Sequence, residues 1–443
     1  MRTTLRRRLI IPAALATVTG LALVGCTGDI AAEDAADVDC SLYEDYGTFD
    51  GEEVTVSGTI VETEADRLIN SWSDFATCTD IEISYQGTRD FEATIAQLAE
   101  GGNAPDVGIV PQPGLVQLLA QNGYLEPAPA EVEANMDEFW TEDWKGYGTV
   151  DGTFYGAPML ASVKGYIWYS PSEFEENGWE IPTTLDELTA LTAQIQSDTG
   201  RTPWCAGMES GEATGWPGTD WIEDYVLRLH GPDVYDQWVT HEIPFNDPRI
   251  VEAFDAAGEY LKNPDYIDTQ SLISTPFQEG GLPILDGNCS LHHQASFYEV
   301  NFQDAGAEVA EDGDVFAFLM PPVEAGGDLQ VTGGGETVVA FRSSPAITAV
   351  LQHISSGTFA ELRVAEGGTV SANNAVDPTS ASSPLLEQTI EILQDPNTTF
   401  RYDGSDLMPG AVGSNSFWAG IVDWLSGDSS QQVVDTIESS WPS

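Results

Sequence analysis

Positive charge is scarce in this sequence. Fifteen Lys and Arg stand against 72 Asp and Glu among 443 residues, a formal net charge of −57. A chain of that sign repels phosphate backbones, which argues against nucleic-acid binding. It also lacks the polybasic patch that docks on an anionic leaflet. Cysteine is sparse, at five. No two cysteines have C-x-x-C or other metal-ligand spacing, which argues against dithiol redox catalysis and a cysteine zinc site. Neither G-x-S-x-G nor H-E-x-x-H occurs, so two common hydrolase signatures are missing. The main apolar run, residues 9–24, is shorter than the roughly 20 residues a membrane span needs.

What is present is enough apolar material for real cores. Hydrophobic residues make up 42% of the chain and aromatics 10%, which separates it from disordered acidic chains. Its length suggests two or three domains. The acidity itself reads as a well-solvated surface suited to high salt.

The start of the chain reads as a leader. Arg6-Arg7-Arg8 precedes the apolar run, which ends in Leu23-Val24-Gly25-Cys26. This resembles the bacterial lipobox, so residues 1–25 are expected to be a lipoprotein signal peptide. Cys26 is then the lipid-attachment site, carrying diacylglyceryl and palmitate chains at the outer face of the cytoplasmic membrane. Residues 26–39 are small and acidic and read as a flexible tether. Four cysteines remain, Cys40, Cys78, Cys205 and Cys289, and an exported chain sits where disulfides persist. Of the three pairings, Cys40–Cys78 with Cys205–Cys289 keeps each bridge inside one expected lobe.

Apolar periodicity predicts strands at 54–61, 81–85 and 107–110, with helices at 63–76, 91–99 and 114–121 between and after them. Thr63-Glu-Ala-Asp66 and Thr184-Leu-Asp-Glu187 read as capping boxes. The alternation predicts an α/β lobe with a largely parallel sheet. A second such lobe begins near Tyr166, with strands at 165–169, 315–319 and 337–341 and helices at 220–229, 248–261, 345–355, 384–393, 416–425 and 431–439. Strands that arrive this late predict that the chain crosses between lobes more than once.

Several segments carry a family resemblance. They are Gly101-Gly102-Asn103-Ala104-Pro105-Asp106-Val107, Gly123-Tyr124-Leu125-Glu126-Pro127 and Val150-Asp151-Gly152-Thr153-Phe154-Tyr155-Gly156-Ala157-Pro158. Together they resemble the family 1 extracellular solute-binding proteins, the sugar-capturing components of ABC importers. Gly215-Trp216-Pro217-Gly218-Thr219-Asp220-Trp221 and Asp406-Leu-Met-Pro-Gly410 with Asn415-Ser-Phe-Trp418 are similar to the α-glucoside-binding branch. The resemblance spans roughly residues 40–443. It implies a two-lobe, type II periplasmic-binding clamp, with 40–157 and 320–375 in one lobe and 158–319 and 376–443 in the other. Crossings are implied near 158–161, 320–322 and 373–378. The implied partners are an oligosaccharide and the permease's transmembrane subunits, with the protein a monomer that needs no cofactor and no metal.

Sugar recognition needs flat aromatic faces for the C–H face of a ring and polar groups for its hydroxyls. Trp418 stands where the resembling family places a stacking aromatic, although Ile421, Val422 and Leu425 share its helical face. Trp216 sits in a Gly/Pro loop with no periodic face to bury. Trp221 lies just inside the next helix and reads either way. Asp220 is either a helix cap or a hydroxyl acceptor, and Asp406 has the same two readings. Lys164 stands out in a chain with so few cations. Arg89 and Gln112 follow strands at the carboxyl edge of the first lobe, where open α/β sheets bind ligands. In His292-His293-Gln294-Ala295-Ser296-Phe297, one histidine or Gln294 is expected to face the cleft, and Phe297 is a second stacking candidate. Adjacent histidines on a strand point to opposite faces, which disfavours a shared metal. Glu336 follows three glycines near a crossing.

A secreted glycoside hydrolase is the competing class, since 72 acidic residues easily supply a carboxylate pair. A third class is a binding protein of the same fold for a peptide, a polyamine or a metal ion. Dense carboxylates in the cleft would favour a polyamine; aromatics with little net charge there would favour sugar.

Overall fold

A computed structural model describes residues 38–442. The leader, Cys26 and tether residues 27–37 lie outside the described residues.

The strands, in chain order, are β1 (Glu52–Gly58), β2 (Ile81–Gly87), β3 (Val107–Val110), β4 (Thr149–Val150), β5 (Thr153–Phe154), β6 (Gly156–Pro158), β7 (Ser162–Val163), β8 (Tyr166–Tyr169), β9 (Leu291–Gln294), β10 (Phe316–Leu319), β11 (Gln330–Gly334), β12 (Thr337–Ala340) and β13 (Thr399–Tyr402). The largest sheet has the order β2-β1-β3-β12-β6. β1 runs parallel to β2 and β3, and β12 is antiparallel to β3 and β6. β3 (VGIV) is buried throughout, as expected of a central strand covered on both faces. Helices Glu62–Thr79, Phe91–Glu100 and Pro113–Gln121 follow β1, β2 and β3. Leu68, Trp72 and Phe75 on the first of these pack with Val54 and Val56 of β1 in one core. The first helix starts one residue before the expected capping box. Val61 is its N-cap and makes no side-chain bond there, so the Thr63–Asp66 box does not form. Thr184 does cap its helix, accepting from the Glu187 amide.

The second lobe departs from the expected parallel sheet. β8 lies between β10 and β9, antiparallel to both. A separate sheet joins β11 in parallel to β13 and antiparallel to β7. Helices dominate this lobe. Its central element, Trp216–His230, buries nearly every face, the mark of a helix inside a core. It packs against the helices Pro248–Leu261, Pro232–Val239 and Trp418–Ser426. Gly215 begins it at φ +112, where a Cβ would meet the Trp418 carbonyl oxygen at 2.3 Å. That close approach allows only glycine.

Both expected disulfides form, Cys40–Cys78 and Cys205–Cys289, with Cα separations of 5.4 and 5.8 Å. Between the sheets, three segments lie side by side. Met159 N donates to Glu336 O at 2.8 Å, and Ala161 N to Val370 O at 2.9 Å. The chain changes sheet between β10 and β11 and again at Gly335-Glu336, between β11 and β12. β11 still pairs with β7 and β13, and Met320 is packed in the second-lobe core. Among the described residues, no helix is long and apolar enough to cross a membrane.

Candidate functional site

A cavity of 310 Å³ opens between the large sheet and the second lobe. Its first-lobe wall comes from the carboxyl ends of the parallel strands. Residues 59–64 follow β1, Arg89 and Glu92 follow β2, and Gln112 follows β3. This is where an open α/β sheet leaves a crevice. Gly334, Gly335 and Glu336 contribute the chain change between sheets.

The second-lobe wall is aromatic. Trp216 meets Phe277 edge-on with ring centroids 5.0 Å apart, and Phe297 lies 6.2 Å from Trp216. The Lys164 ammonium sits 5.4 Å from the Trp216 ring centroid, a cation–π distance. Trp418 lines the same cavity but is only 7% exposed, because Phe417 and Ile421 beside it are fully buried. Its indole Nε1 has no partner among the described residues.

Lys164 is the electrostatic centre. Its ammonium donates to Asp220 Oδ1 at 2.8 Å and pairs with Asp403. Burial opposes its charge, but Asp220, Asp403, Asp406 and Glu223 together hold its pKa well above the usual lysine value. The carboxylates divide around it. Burial pushes Asp220 up to about 8 despite Lys164. Asp406 and Glu223 are driven well above their usual range by burial and then by the Asp403 charge. Burial also opposes ionisation of Asp403, but Lys164, with donors from Ser405 and the Asp406 amide, keeps it below the usual range. On the opposite wall, burial raises Glu92 to about 7, and burial with the nearby Glu64 raises Glu336 to about 7. Ligand atoms of Asp220, Glu223 and Asp403 come within 4.8 Å of one another, a spacing that suits a cation. The Lys164 ammonium already bonds two of them.

Eight sequence-predicted residues line this cavity: Trp418, Trp216, Lys164, Gln112, Arg89, Phe297, Asp406 and Glu336. Gln112 is tied across the cleft, its Oε1 accepting from Ser414 Oγ at 2.9 Å. Arg89 pairs with Glu62 at 2.8 Å in a largely exposed bridge, which contributes little to stability. Three expectations are corrected. Trp221 is 1% exposed and packs on Trp204, Tyr260 and His293. Gln294 is buried on β9, its Oε1 accepting from the Ala295 amide. Asp220 neither caps a helix nor lines the wall. The helix begins four residues earlier, at Trp216, which turns Asp220 inward beneath Lys164. Neither histidine faces the cleft. His292 Nδ1 bonds Cys205 O at 2.8 Å, and His293 Nε2 bonds Asp224 at 2.7 Å.

Sequence reasoning missed Asp403, Ser405, Phe277, Glu64 and Glu92, all in the wall. The Asp403-Gly404 pair carried a usable signal for the first two. Asp is a favoured N-cap, and Asp403 does cap the short Gly404–Leu407 helix.

The chain is similar in sequence to binding proteins of two bacteria. It is 37% identical over 401 residues to the osmoprotective compounds-binding protein GgtB of Synechocystis sp. (strain ATCC 27184 / PCC 6803 / Kazusa), covering 89% of this chain and 94% of that protein. It is 36% identical over 407 residues to the alpha-glucosides-binding periplasmic protein AglE of Rhizobium meliloti (strain 1021), covering 89% and 88%. The fold resembles the crystal structure of the bacterial solute receptor AcbH, with a TM-score of 0.75 at 17% identity, over 88% of this chain and 98% of that one. The two-lobe type II architecture follows from such neighbours and from the sheets described above. With residues 73–359 also matching that family's profile, the chain belongs to the bacterial extracellular solute-binding proteins.

Proposed function

We propose that this protein is the substrate-capturing component of an ABC importer, taking up an α-glucoside oligosaccharide between its lobes and presenting it to the permease. The observation that carries this reading is the pairing of an aromatic shelf, Trp216, Phe277 and Phe297, with acceptor carboxylates in one interlobe cavity. Flat rings cover the C–H face of a pyranose, and carboxylates accept its hydroxyl protons. A volume of 310 Å³ lies within the usual range for small-ligand pockets. The relative named for α-glucosides supports this ligand class. Export and anchoring through Cys26, with 26–39 as a tether, complete the proposal. The proposed lobes are 40–157 with 336–375, and 158–335 with 376–443, the later boundary being placed between β11 and β12. Ligand contact with both lobes then stabilises a closed form that the permease reads.

A cationic ligand such as a polyamine is the second reading. Seven carboxyl groups line the wall against Lys164 and Arg89. Weighing against it, burial raises the pKa of Glu64, Glu92, Glu336 and Asp406, which lowers the negative charge the wall presents. A thermal-shift and tryptophan-fluorescence panel separates the two. Maltose, trehalose or a related α-glucoside is expected to raise the melting temperature and quench fluorescence, with no glycan cleaved. A response to polyamine alone overturns the sugar assignment, and steady glycan turnover overturns the receptor assignment.

A further inference from the structure

Glu223 is fully buried on the Trp216–His230 helix and does not line the cavity. Its carboxylate instead grips a distant segment. Oε2 accepts from Gly404 N at 2.9 Å and Oε1 from Ser405 N at 3.0 Å, while the Tyr235 hydroxyl donates to Oε2 at 3.4 Å. The gripped segment is the single helical turn Gly404–Leu407. One turn has no stability of its own, and its first amides lack intrahelical partners. Here Glu223 supplies those partners from one side. Asp403 supplies them from the other, accepting from Asp406 N at 3.0 Å and Ser405 Oγ at 2.7 Å. The fit is close, since a Cβ on Gly404 would meet the Tyr235 hydroxyl and Val239 at 3.1 Å. This turn carries Asp403, Ser405 and Asp406 into the cavity wall.

We infer that Glu223 is a positioning residue for ligand affinity: by pinning Gly404 and Ser405 it fixes the direction in which Asp403, Ser405 and Asp406 meet the ligand's hydroxyls. Two acceptor oxygens are needed because both amides must be satisfied at once. Glutamine offers one acceptor and sets an N–H₂ against the other amide. The inference rests on the proposed capture of a polyhydroxy ligand in this cavity.

The test is Glu223→Gln in the full chain, with maltose and trehalose as probes in titration calorimetry. Val350→Ala, in the first-lobe core away from the cavity, serves as a control that loses stability without touching the turn. Glu223→Gln is expected to raise Kd at least tenfold and to speed amide exchange at Gly404 and Ser405, while Val350→Ala leaves Kd unchanged. Wild-type affinity in Glu223→Gln, or an equal loss in Val350→Ala, overturns the inference. If the wild type binds neither sugar, the ligand reading fails by itself and amide exchange decides: faster exchange at the two amides supports positioning, unchanged exchange overturns it. If Glu223→Gln does not fold, Gly404→Ala displaces the same turn by pressing on Tyr235 and Val239. A tenfold rise in Kd then supports the inference, and wild-type affinity overturns it.

Discussion

Two buried acids one helical turn apart, Asp220 and Asp224, meet opposite surroundings. Asp224 has both carboxylate oxygens bonded. Arg228 donates to Oδ1 at 2.8 Å, Thr332 to the same oxygen at 2.9 Å, and His293 bonds Oδ2 at 2.7 Å. Burial opposes its charge, yet Arg228 and His293 keep its pKa below the usual range. These partners tie the central helix to β9 and β11. Gly165, at φ +77, lets the chain pass where a Cβ would come within 2.6 Å of Oδ2. Asp220 shares one ammonium with Asp403, while Asp406 and Glu223 crowd the same charge. Its Oδ2 has no partner among the described residues. The first arrangement is a knot around one carboxylate that holds the scaffold. The second lies beside the cavity, where Asp403 and Asp406 line the wall and can accept from hydroxyl donors.

The largest expected effect breaks the knot. Asp224→Asn leaves Arg228 buried without its counter-charge and should cost about 3–5 kcal/mol, read by urea denaturation. Asp220→Asn mimics a proton that Asp220 already tends to hold and should cost about 1 kcal/mol or less. Equal losses in the two variants would remove the distinction between scaffold and site. Next comes the aromatic shelf of the open region. Trp216→Ala should weaken α-glucoside binding by about 1–3 kcal/mol, by analogy with stacking on other planar rings, with the denaturation midpoint nearly unchanged. Unchanged affinity by titration would mean that the ligand does not use this wall.

Titration sharpens the same contrast. Folded Asp220 keeps its proton to about pH 8, against an ordinary value of 3.8. Between those limits the folded state binds more protons than the unfolded one. This group therefore makes stability fall as pH rises, by up to about 1.4 kcal/mol per unit. Asp224 acts in the other direction. Its pKa is lowered on folding, so its contribution is present above 3.8 and lost as pH falls through the folded value. Urea midpoints from pH 5 to 8 should therefore decline less steeply in Asp220→Asn than in the wild type. Parallel curves would show that Asp220 ionises normally.

Much of this was legible in the residues, for physical reasons that also mark where legibility stopped. Strand–helix alternation exposed the first lobe because apolar periodicity is local. Trp216 stood out because a Gly/Pro setting gives an indole no periodic face, and Lys164 because cations are rare here. The helix start at Trp216 was hidden because Pro217 and Gly218 read as loop, although proline is tolerated in a first helical turn. That shift of four residues turned Asp220 from an expected cap or cleft acceptor into a buried acid. The antiparallel pairing of β8 with β9 and β10 was not readable, since periodicity says which face is buried and nothing about the neighbour's direction. Asp403 and Glu223 meet only through tertiary contact, 180 residues apart in the chain, and no local pattern links them.

A buried polar atom without a partner does not by itself mark a binding site, and His353 makes that testable. Both its ring nitrogens lack partners among the described residues, as Asp220 Oδ2 does. Yet it lies in the first-lobe core, stacked on Phe75 with centroids 4.2 Å apart and flanked by Tyr43, Tyr46 and Phe359. Burial lowers its pKa to about 3. Below an ordinary value of 6.5 the unfolded chain takes up a proton that the folded chain refuses, so stability is lost as pH falls from 6.5 toward 3. His353→Phe keeps the ring stack and removes both orphaned nitrogens. It should add about 1 kcal/mol at pH 7, add more at pH 5, and leave sugar affinity untouched. A loss of affinity would mean that the core and the cavity are coupled, and that orphaned atoms in both places serve the same end. Unchanged affinity with raised stability would show that an unpartnered group in the first-lobe core carries no functional meaning.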